Sequence, residues 1–197
     1  MRYRVLTGLA GSGKTAMLER LAEVGEQVID LERLAAHRGS SFGRIGIRTP
    51  MPSPAEFRTL VADALGACDP ARPVWLEDEG PHIGPLRLPA EATAALAAAE
   101  TVELHLPFDA RVGRLVDTYG SAEPRELIDA TQRIRRRLGN PRTDRAVSHF
   151  HAGRPDAAIR VLLEYFDDGY ARRAAHDNRR AVSVDDLPAI LAGESEA

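Results

Sequence analysis

Cysteine is almost absent from this 197-residue chain, where Cys68 stands alone. One thiol closes no internal disulfide and builds no multi-cysteine zinc or iron–sulfur site. Long apolar runs are missing too. None approaches the ~18 residues that a membrane-crossing helix needs. The longest bland stretch, Ala94 to Ala99, lies between Glu91 and Glu100. Met1 to Gly8 contains no apolar region of secretory length. These absences lead to the expectation of a cytoplasmic chain without membrane contact or disulfides. Aromatic residues make up only 5%, which argues against an extended base-stacking platform. Net charge is −3, so no global field draws in nucleic acid. What remains, 44% hydrophobic and 28% charged residues, is ordinary globular composition at a length that fits one domain, residues 1–197.

The scarcest charged residue is the most informative. Of 26 basic residues one is lysine, Lys14, and the other 25 are arginine. Where arginine serves nearly every positive position, a single lysine marks a place that needs a compact point charge on a flexible stem rather than a planar fork.

Hydrophobic periodicity divides the chain into alternating strands and helices. Tyr3 to Thr7 is predicted as a strand and Lys14 to Val24 as a helix, with Met17, Leu18, Leu21 and Val24 on one face and Gly25 after its end. Gln27 to Asp30 reads as a strand and Leu31 to Ala36 as a short helix. A long irregular stretch, His37 to Pro52, follows, and loops of that length are more often functional than idle. Ser53-Pro54-Ala55-Glu56 is a capping box opening a helix to about Ala67. Further strands are expected at Pro73–Glu77, Thr101–Leu106 and Ala181–Val184, and helices at Pro89–Ala99, Phe108–Tyr119, Glu123–Leu138 and Pro155–Ala174, with a short helix to Leu191 and a frayed tail. In Glu123–Leu138 the stripe is Leu127, Thr131, Ile134 and Leu138. The alternation predicts an α/β fold: a parallel sheet of about five strands with a helical lid over about 119–153.

Gly8-Leu9-Ala10-Gly11-Ser12-Gly13-Lys14-Thr15 matches G-x-x-x-x-G-K-[ST] between a predicted strand and a predicted helix, the context of a P-loop. Glycines let consecutive backbone N–H groups converge on an anion, and the helix N-terminus adds partial positive charge. Gly8, Ala10, Gly11, Ser12, Gly13, Lys14 and Thr15 are therefore the phosphate-binding candidates, with Lys14 on the outer phosphates and Thr15 on Mg²⁺. The motif reads equally as a site for ATP, GTP or another phosphate ligand.

A metal-holding acid is expected at a neighbouring strand end, and Glu77 is the candidate, followed by Asp78 and Glu79. Asp30 ends the second strand and reads either as a general base or as a helix N-cap. His37 and Arg38, within His37-Arg38-Gly39-Ser40-Ser41-Phe42-Gly43, put a titratable imidazole and a guanidinium into a polar loop. Residues 125–145 hold seven arginines against Glu126, Asp129 and Asp144. Arg133, Arg136, Arg137 and Arg142 are the candidates there, for closing a lid on phosphate or for contacting RNA backbone, with a solvated helix face as the plain alternative. Tyr165, Phe166 and Tyr170 read as core or lid packing.

Taken together, these segments resemble the P-loop domain of bacterial tRNA 2-selenouridine synthase. The resemblance rests on Gly8 to Thr15, Val28 to Glu32, Leu34-Ala35, His37 to Gly43, Pro52-Ser53 with Phe57, Val74 to Glu77 with Glu79 and Ile83-Gly84, and Leu162 to Asp167 with Tyr170. Asp30-Leu31-Glu32 followed by His37 to Gly43 is its most specific part. The resemblance implies a kinase-like P-loop sheet with a helical lid. It also implies conversion of wobble 2-thiouridine to 2-selenouridine through an S-geranyl intermediate, with tRNA, geranyl diphosphate and selenophosphate as ligands. By it, Gly13, Lys14 and Thr15 hold a diphosphate or phosphate, and the segments around Asp30, His37, Arg38 and Glu77 line one cleft. Family members usually carry a rhodanese-like domain with a reactive cysteine ahead of the P-loop. Here Met1 nearly begins the first strand and Cys68 is not in such a loop, so the expectation is either a separate rhodanese-domain partner or recruitment of this half to other chemistry. The family's Gln-flanked Pro-Ser is also changed, with Met51 before and Pro54 after. Two other readings stay open: an ATP-dependent small-molecule kinase with Asp30 as base, and a non-catalytic nucleotide-binding subunit.

Overall fold

The computed structural model describes residues 1–174 and 181–183. The expected helix to Leu191 and the tail lie outside the described residues. Strands β1 (Tyr3–Thr7), β2 (Gln27–Ile29), β3 (Val74–Glu77), β6 (Glu100–Glu103) and β7 (Ala181–Ser183) form a parallel sheet in the order β2-β3-β1-β6-β7. The strands are short and apolar because both faces are covered. Val5, Val74 and Leu76 face one core with Phe57 and Val61 of α3 (Pro54–Gly66), and Ala92 and Leu96 of α4 (Ala90–Ala98). Leu6, Trp75 and Val102 face the other way, onto Leu18 and Leu21 of α1 (Lys14–Glu23). Both components of the capping box ahead of α3 form, Glu56 N–H to Ser53 Oγ and Ser53 N–H to the Glu56 carboxylate.

Three elements depart from the sequence expectations. β6 stops at Glu103 rather than Leu106. Its partner β1 ends at Thr7, and after the Leu104 N–H to Thr7 carbonyl bond of 2.9 Å no strand among the described residues continues alongside. The helix expected over Glu123–Leu138 is interrupted: α6 (Pro124–Arg133) and α7 (Arg135–Leu138) join at Ile134, whose φ of −101° and ψ of 5° leave the helical region. The expected stripe survives the break, since Leu127, Thr131, Ile134 and Leu138 are all buried. An antiparallel hairpin, β4 (His82–Ile83) with β5 (Leu86–Arg87), follows β3 without having been expected; strands of two residues carry no readable period.

The lid over α6, α7 and α8 (Asn140–His151) has its own core, closed below by α9 (Pro155–Ala174) and joined by Phe42 and Ile45 from the irregular loop. That loop is tied down again where Ser41 Oγ donates to the Ala130 carbonyl at 2.8 Å and Arg133 donates to the Ser41 carbonyl at 2.7 Å. α2 (Leu31–Ala35) and α5 (Phe108–Tyr119) complete the frame, with α5 packed on α9 through Val112, Ile159 and Leu163. Among the described residues no helix is long and apolar enough to cross a membrane.

The two core faces predict a clear contrast in α3. Phe57 is fully buried and Leu60 is 40% exposed. Phe57→Ala should cost about 3–5 kcal/mol by leaving a cavity, whereas Leu60→Ala should change stability by no more than about 0.5 kcal/mol. Urea denaturation of the two variants checks this, and equal losses would place the core elsewhere.

Candidate functional site: a P-loop cleft with a carboxylate cluster

A strand that ends at Thr7 and a helix that begins at Lys14 force the six residues between them into a tight curl. Gly8, at φ +138°, leaves β1 so close to β6 that an added Cβ would lie 2.6 Å from the Leu104 carbonyl oxygen. Gly13, at φ +96°, caps α1 in the left-handed region, where a side chain is strained. The curl is pinned by the Ser12 N–H to Leu9 carbonyl bond of 3.0 Å. Lys14 Nζ donates to the Gly8 carbonyl at 3.0 Å, so the ammonium folds back over the loop it belongs to. Arg111 holds the loop from α5. Only 3% exposed, it donates to the Ala10 carbonyl at 3.1 Å, to the Leu106 carbonyl at 3.2 Å, and to both oxygens of Asp167 at 2.9 and 2.7 Å.

The parallel register of β1 with β3 sets Leu6 beside Glu77. Glu77 therefore emerges under the P-loop at the C-terminal edge of the sheet, where open α/β sheets hold ligands. It is 1% exposed, and its Oε1 has no hydrogen-bond partner among the described residues. Glu32 of α2 and Glu79 after β3 join it, with one carboxylate oxygen from each within 4.8 Å of the others. Burial, then the charge of Glu32, pushes the Glu77 carboxyl well above the usual range, while Lys14 and Thr15 pull it down. Burial and Glu79 raise Glu32 likewise, and burial and Glu77 raise Glu79. Three carboxylates this close, Glu77 buried and the other two half-buried, do not all ionise readily without a cation. An orphaned carboxylate oxygen in a set of hard oxygen donors, beside the Thr15 hydroxyl, fits a magnesium ion.

The cleft above has a volume of about 1030 Å³. Its wall carries Gly8, Ala10, Gly11, Gly13, Lys14, Thr15, Arg38, Glu77 and Arg137 of the sequence candidates. Ser12 lies beneath, buried, with its hydroxyl unpartnered. Asp30 takes the N-cap role: its carboxylate accepts from the Arg33 N–H at 2.7 Å, and it is not on the cleft wall. His37 is also off the wall. Its ring is wedged between Gly43 and Gly84, where a Cβ on either would lie 2.6 Å from it. Burial, reinforced by Arg44, lowers its pKa and keeps it neutral. Arg38 donates to the Ile45 carbonyl at 2.8 Å and lies 5.8 Å from the centre of the Tyr119 ring.

The lid arginines separate into two groups. Arg133 is bound to the Ser41 carbonyl, and Arg142 pairs with Asp168 at 2.9 Å. Arg135 pairs with Asp144, and Arg145 with Glu164. Arg136 and Arg137 have no acidic partner among the described residues, and both are exposed.

Several wall residues carry no local sequence signal. Glu32 is found only once α2 is seen to face β3. Leu115, Tyr165 and Phe166 add apolar lining to the same cleft as the carboxylates, and Tyr170 lies there too. Tyr170 shares a hydrogen bond of 2.9 Å with Thr7, whose hydroxyl also donates to Asp78 at 2.6 Å. The lid aromatics expected only to pack thus also line the site.

A family model described as the tRNA 2-selenouridine synthase AAA domain matches residues 1–193. The tRNA 2-selenouridine synthase of Verminephrobacter eiseniae (strain EF01-2) is 32% identical over 223 aligned positions, covering 96% of this chain and 59% of that protein. That of Cupriavidus necator H16 is 35% identical over 219 positions, covering 96% and 58%. The chain thus spans about three fifths of the length of these relatives. Among solved structures, a gluconokinase from Sinorhizobium meliloti 1021 aligns at 17% identity over 87% of this chain and 97% of that one, with a TM-score of 0.35.

The carboxylate cluster predicts how stability follows pH. The folded chain keeps protons on Glu32 and Glu77 from the ordinary value of 4.5 up to about 8, and on Glu79 up to about 7, where the unfolded chain has released them. Fewer protons bound in the unfolded state mean stability that falls as pH rises through that window. The melting temperature should therefore drop from pH 5 to pH 8 without divalent cation, and millimolar Mg²⁺ should recover most of the loss at pH 8. Glu77→Gln should flatten the profile and blunt the Mg²⁺ effect. A wild-type profile indifferent to both pH and Mg²⁺ contradicts the cluster's assignment.

Proposed function

The chain belongs to the tRNA 2-selenouridine synthase AAA-domain family, and from that premise we propose that its cleft binds a prenyl diphosphate with magnesium and serves the modification of wobble 2-thiouridine in tRNA. One observation carries the reading: the P-loop and the carboxylate cluster share a cleft with an apolar wall of Leu115, Tyr165 and Phe166. The polar side suits a diphosphate and the apolar side suits a hydrocarbon chain. In the transfer, the thiouridine sulfur forms a bond to the allylic carbon as the carbon–oxygen bond to the diphosphate breaks, and pyrophosphate leaves with the electron pair. Lys14 and the P-loop N–H groups take up the charge that develops on that leaving group. Thr15 and Glu77, with Glu32 and Glu79 alongside, would hold a magnesium ion, which supplies further neutralisation of the diphosphate. Selenophosphate as a second phosphate ligand, and a rhodanese-type partner, belong to the same proposal. The small-molecule kinase is the less favoured reading because its expected base, Asp30, is engaged in capping α2.

Thermal shift with Mg²⁺ tests the ligand. A ligand at a hundred times its Kd adds about 2.7 kcal/mol of stability. Geranyl diphosphate should raise the melting temperature more than inorganic pyrophosphate at equal concentration. Phe166→Ala should remove that difference, and Lys14→Ala should remove both responses while leaving the unliganded protein folded. ATP stabilising more strongly than geranyl diphosphate would move the assignment to the kinase.

For tRNA, the proposal rests on Arg136 and Arg137, two exposed neighbouring lid arginines for which no acidic partner is found among the described residues. Filter binding of bulk tRNA should weaken in Arg136→Ala/Arg137→Ala, with a shallower dependence on salt, since each lost phosphate contact lowers the log–log slope by somewhat less than one. Arg142→Ala, which removes an arginine already paired with Asp168, should have the smaller effect. A larger loss from Arg142→Ala contradicts this division of the lid.

A further inference from the structure

α5 runs along the P-loop and presents arginines at 111 and 114, three residues apart and so on one side of the helix. Their circumstances are opposite. Arg111 is buried and has every direction of its guanidinium engaged, by Asp167, Ala10 and Leu106. Arg114 is exposed, lines the cleft, and has no acidic partner among the described residues. Its position is nevertheless defined. A Cβ placed on Gly13 would lie 2.9 Å from Arg114 Nη1, 3.0 Å from Cζ and 3.4 Å from Nη2. The charged fork itself, not its stem, therefore lies against the last glycine of the P-loop. Gly11 is in the same embrace, since a Cβ there would lie 3.0 Å from the Arg111 carbonyl oxygen and 3.1 Å from Leu115 Cγ.

This arrangement gathers positive charge at the P-loop. The N-terminus of α1 carries the partial charge of its free N–H groups, Lys14 adds a full charge, and the Arg114 guanidinium lies beside them. Like charges held together by the backbone are stabilised by an anion from outside. A guanidinium offers such an anion paired N–H donors in a planar fork, which a lysine cannot reproduce.

We infer that Arg114 is a second cationic ligand of the diphosphate held by the P-loop, bridging from α5 to phosphate oxygens on the side away from Glu77. The inference rests on the diphosphate reading above and adds to it a residue outside the motif. Arg111 is then the positioning residue that presses α5 onto the loop through Ala10, so that Arg114 is delivered at Gly13.

Calorimetric titration with inorganic pyrophosphate and Mg²⁺ tests it, using wild type, Lys14→Ala, Arg114→Met, Arg114→Lys and, as a remote control, Arg58→Ala. Arg114→Met keeps an unbranched apolar side chain on α5 and deletes the guanidinium that lies against Gly13. It should weaken pyrophosphate about ten- to a hundredfold, the range for a charge-assisted hydrogen-bonded contact. Arg114→Lys should recover part of the loss, Arg58→Ala should match wild type, and the melting temperature of unliganded Arg114→Met should stay within about a degree or two of wild type. Wild-type affinity in Arg114→Met, with affinity lost in Lys14→Ala, overturns the role of Arg114 and leaves the diphosphate reading intact. No pyrophosphate binding by wild type overturns that reading, and the inference falls with it.

Discussion

The pairing of β1 with β3 is the constraint on which the site depends. It sets Leu6 beside Glu77, so the strand that runs into the P-loop and the strand that ends in a buried acid finish at the same edge. Everything chemical follows from that neighbourhood. The loop must curl, because β6 crowds Gly8. The acid cannot reach water, because α2 and the turn after β3 close over it. Two more carboxylates, Glu32 and Glu79, arrive from those covering segments, and their mutual repulsion leaves a place that a hard cation would relieve. The magnesium site and the phosphate site proposed for the cleft thus lie side by side as consequences of one strand register.

Much of this was legible in the sequence, for identifiable reasons. The P-loop is a local signal: glycines, a lysine and a hydroxyl at fixed spacing between a strand and a helix. The capping box at Ser53 is equally local and forms in full. Residues whose roles depend on neighbours distant in sequence were harder to read. Asp30 offered two roles, base or cap, and the first turn of α2 took its carboxylate for the Arg33 N–H. Glu32, two residues on, is the acid that turns toward Glu77, and only the packing of α2 against the sheet reveals it. His37 had the chemistry of a site residue but is buried between two glycines, where a larger residue would collide with it. The β4–β5 hairpin, with two residues in each strand, was below the resolution of any periodicity. α8 falls within the helical lid expected over about 119–153, although no separate helix was delimited there.

The arginines show how composition and function become entangled. In a chain with one lysine, arginine fills ordinary surface pairs, and four of the lid arginines are tied to acids or to a carbonyl. A count over the window 125–145 therefore overstates the charge available to a partner. What distinguishes a candidate is the absence of an acid beside it: Arg136 and Arg137 on the lid, and Arg114 at the P-loop.

The account's central claim is that one cleft holds a diphosphate on the P-loop and a divalent cation on the adjoining carboxylates. Diffraction from crystals grown with pyrophosphate and Mn²⁺, collected to record the manganese anomalous signal, tests it most directly. The account predicts an anomalous peak among Thr15, Glu77 and the neighbouring carboxylates, with pyrophosphate density cradled by residues 8–15. Manganese and pyrophosphate bound apart, or pyrophosphate on the lid arginines with the P-loop empty, would contradict it.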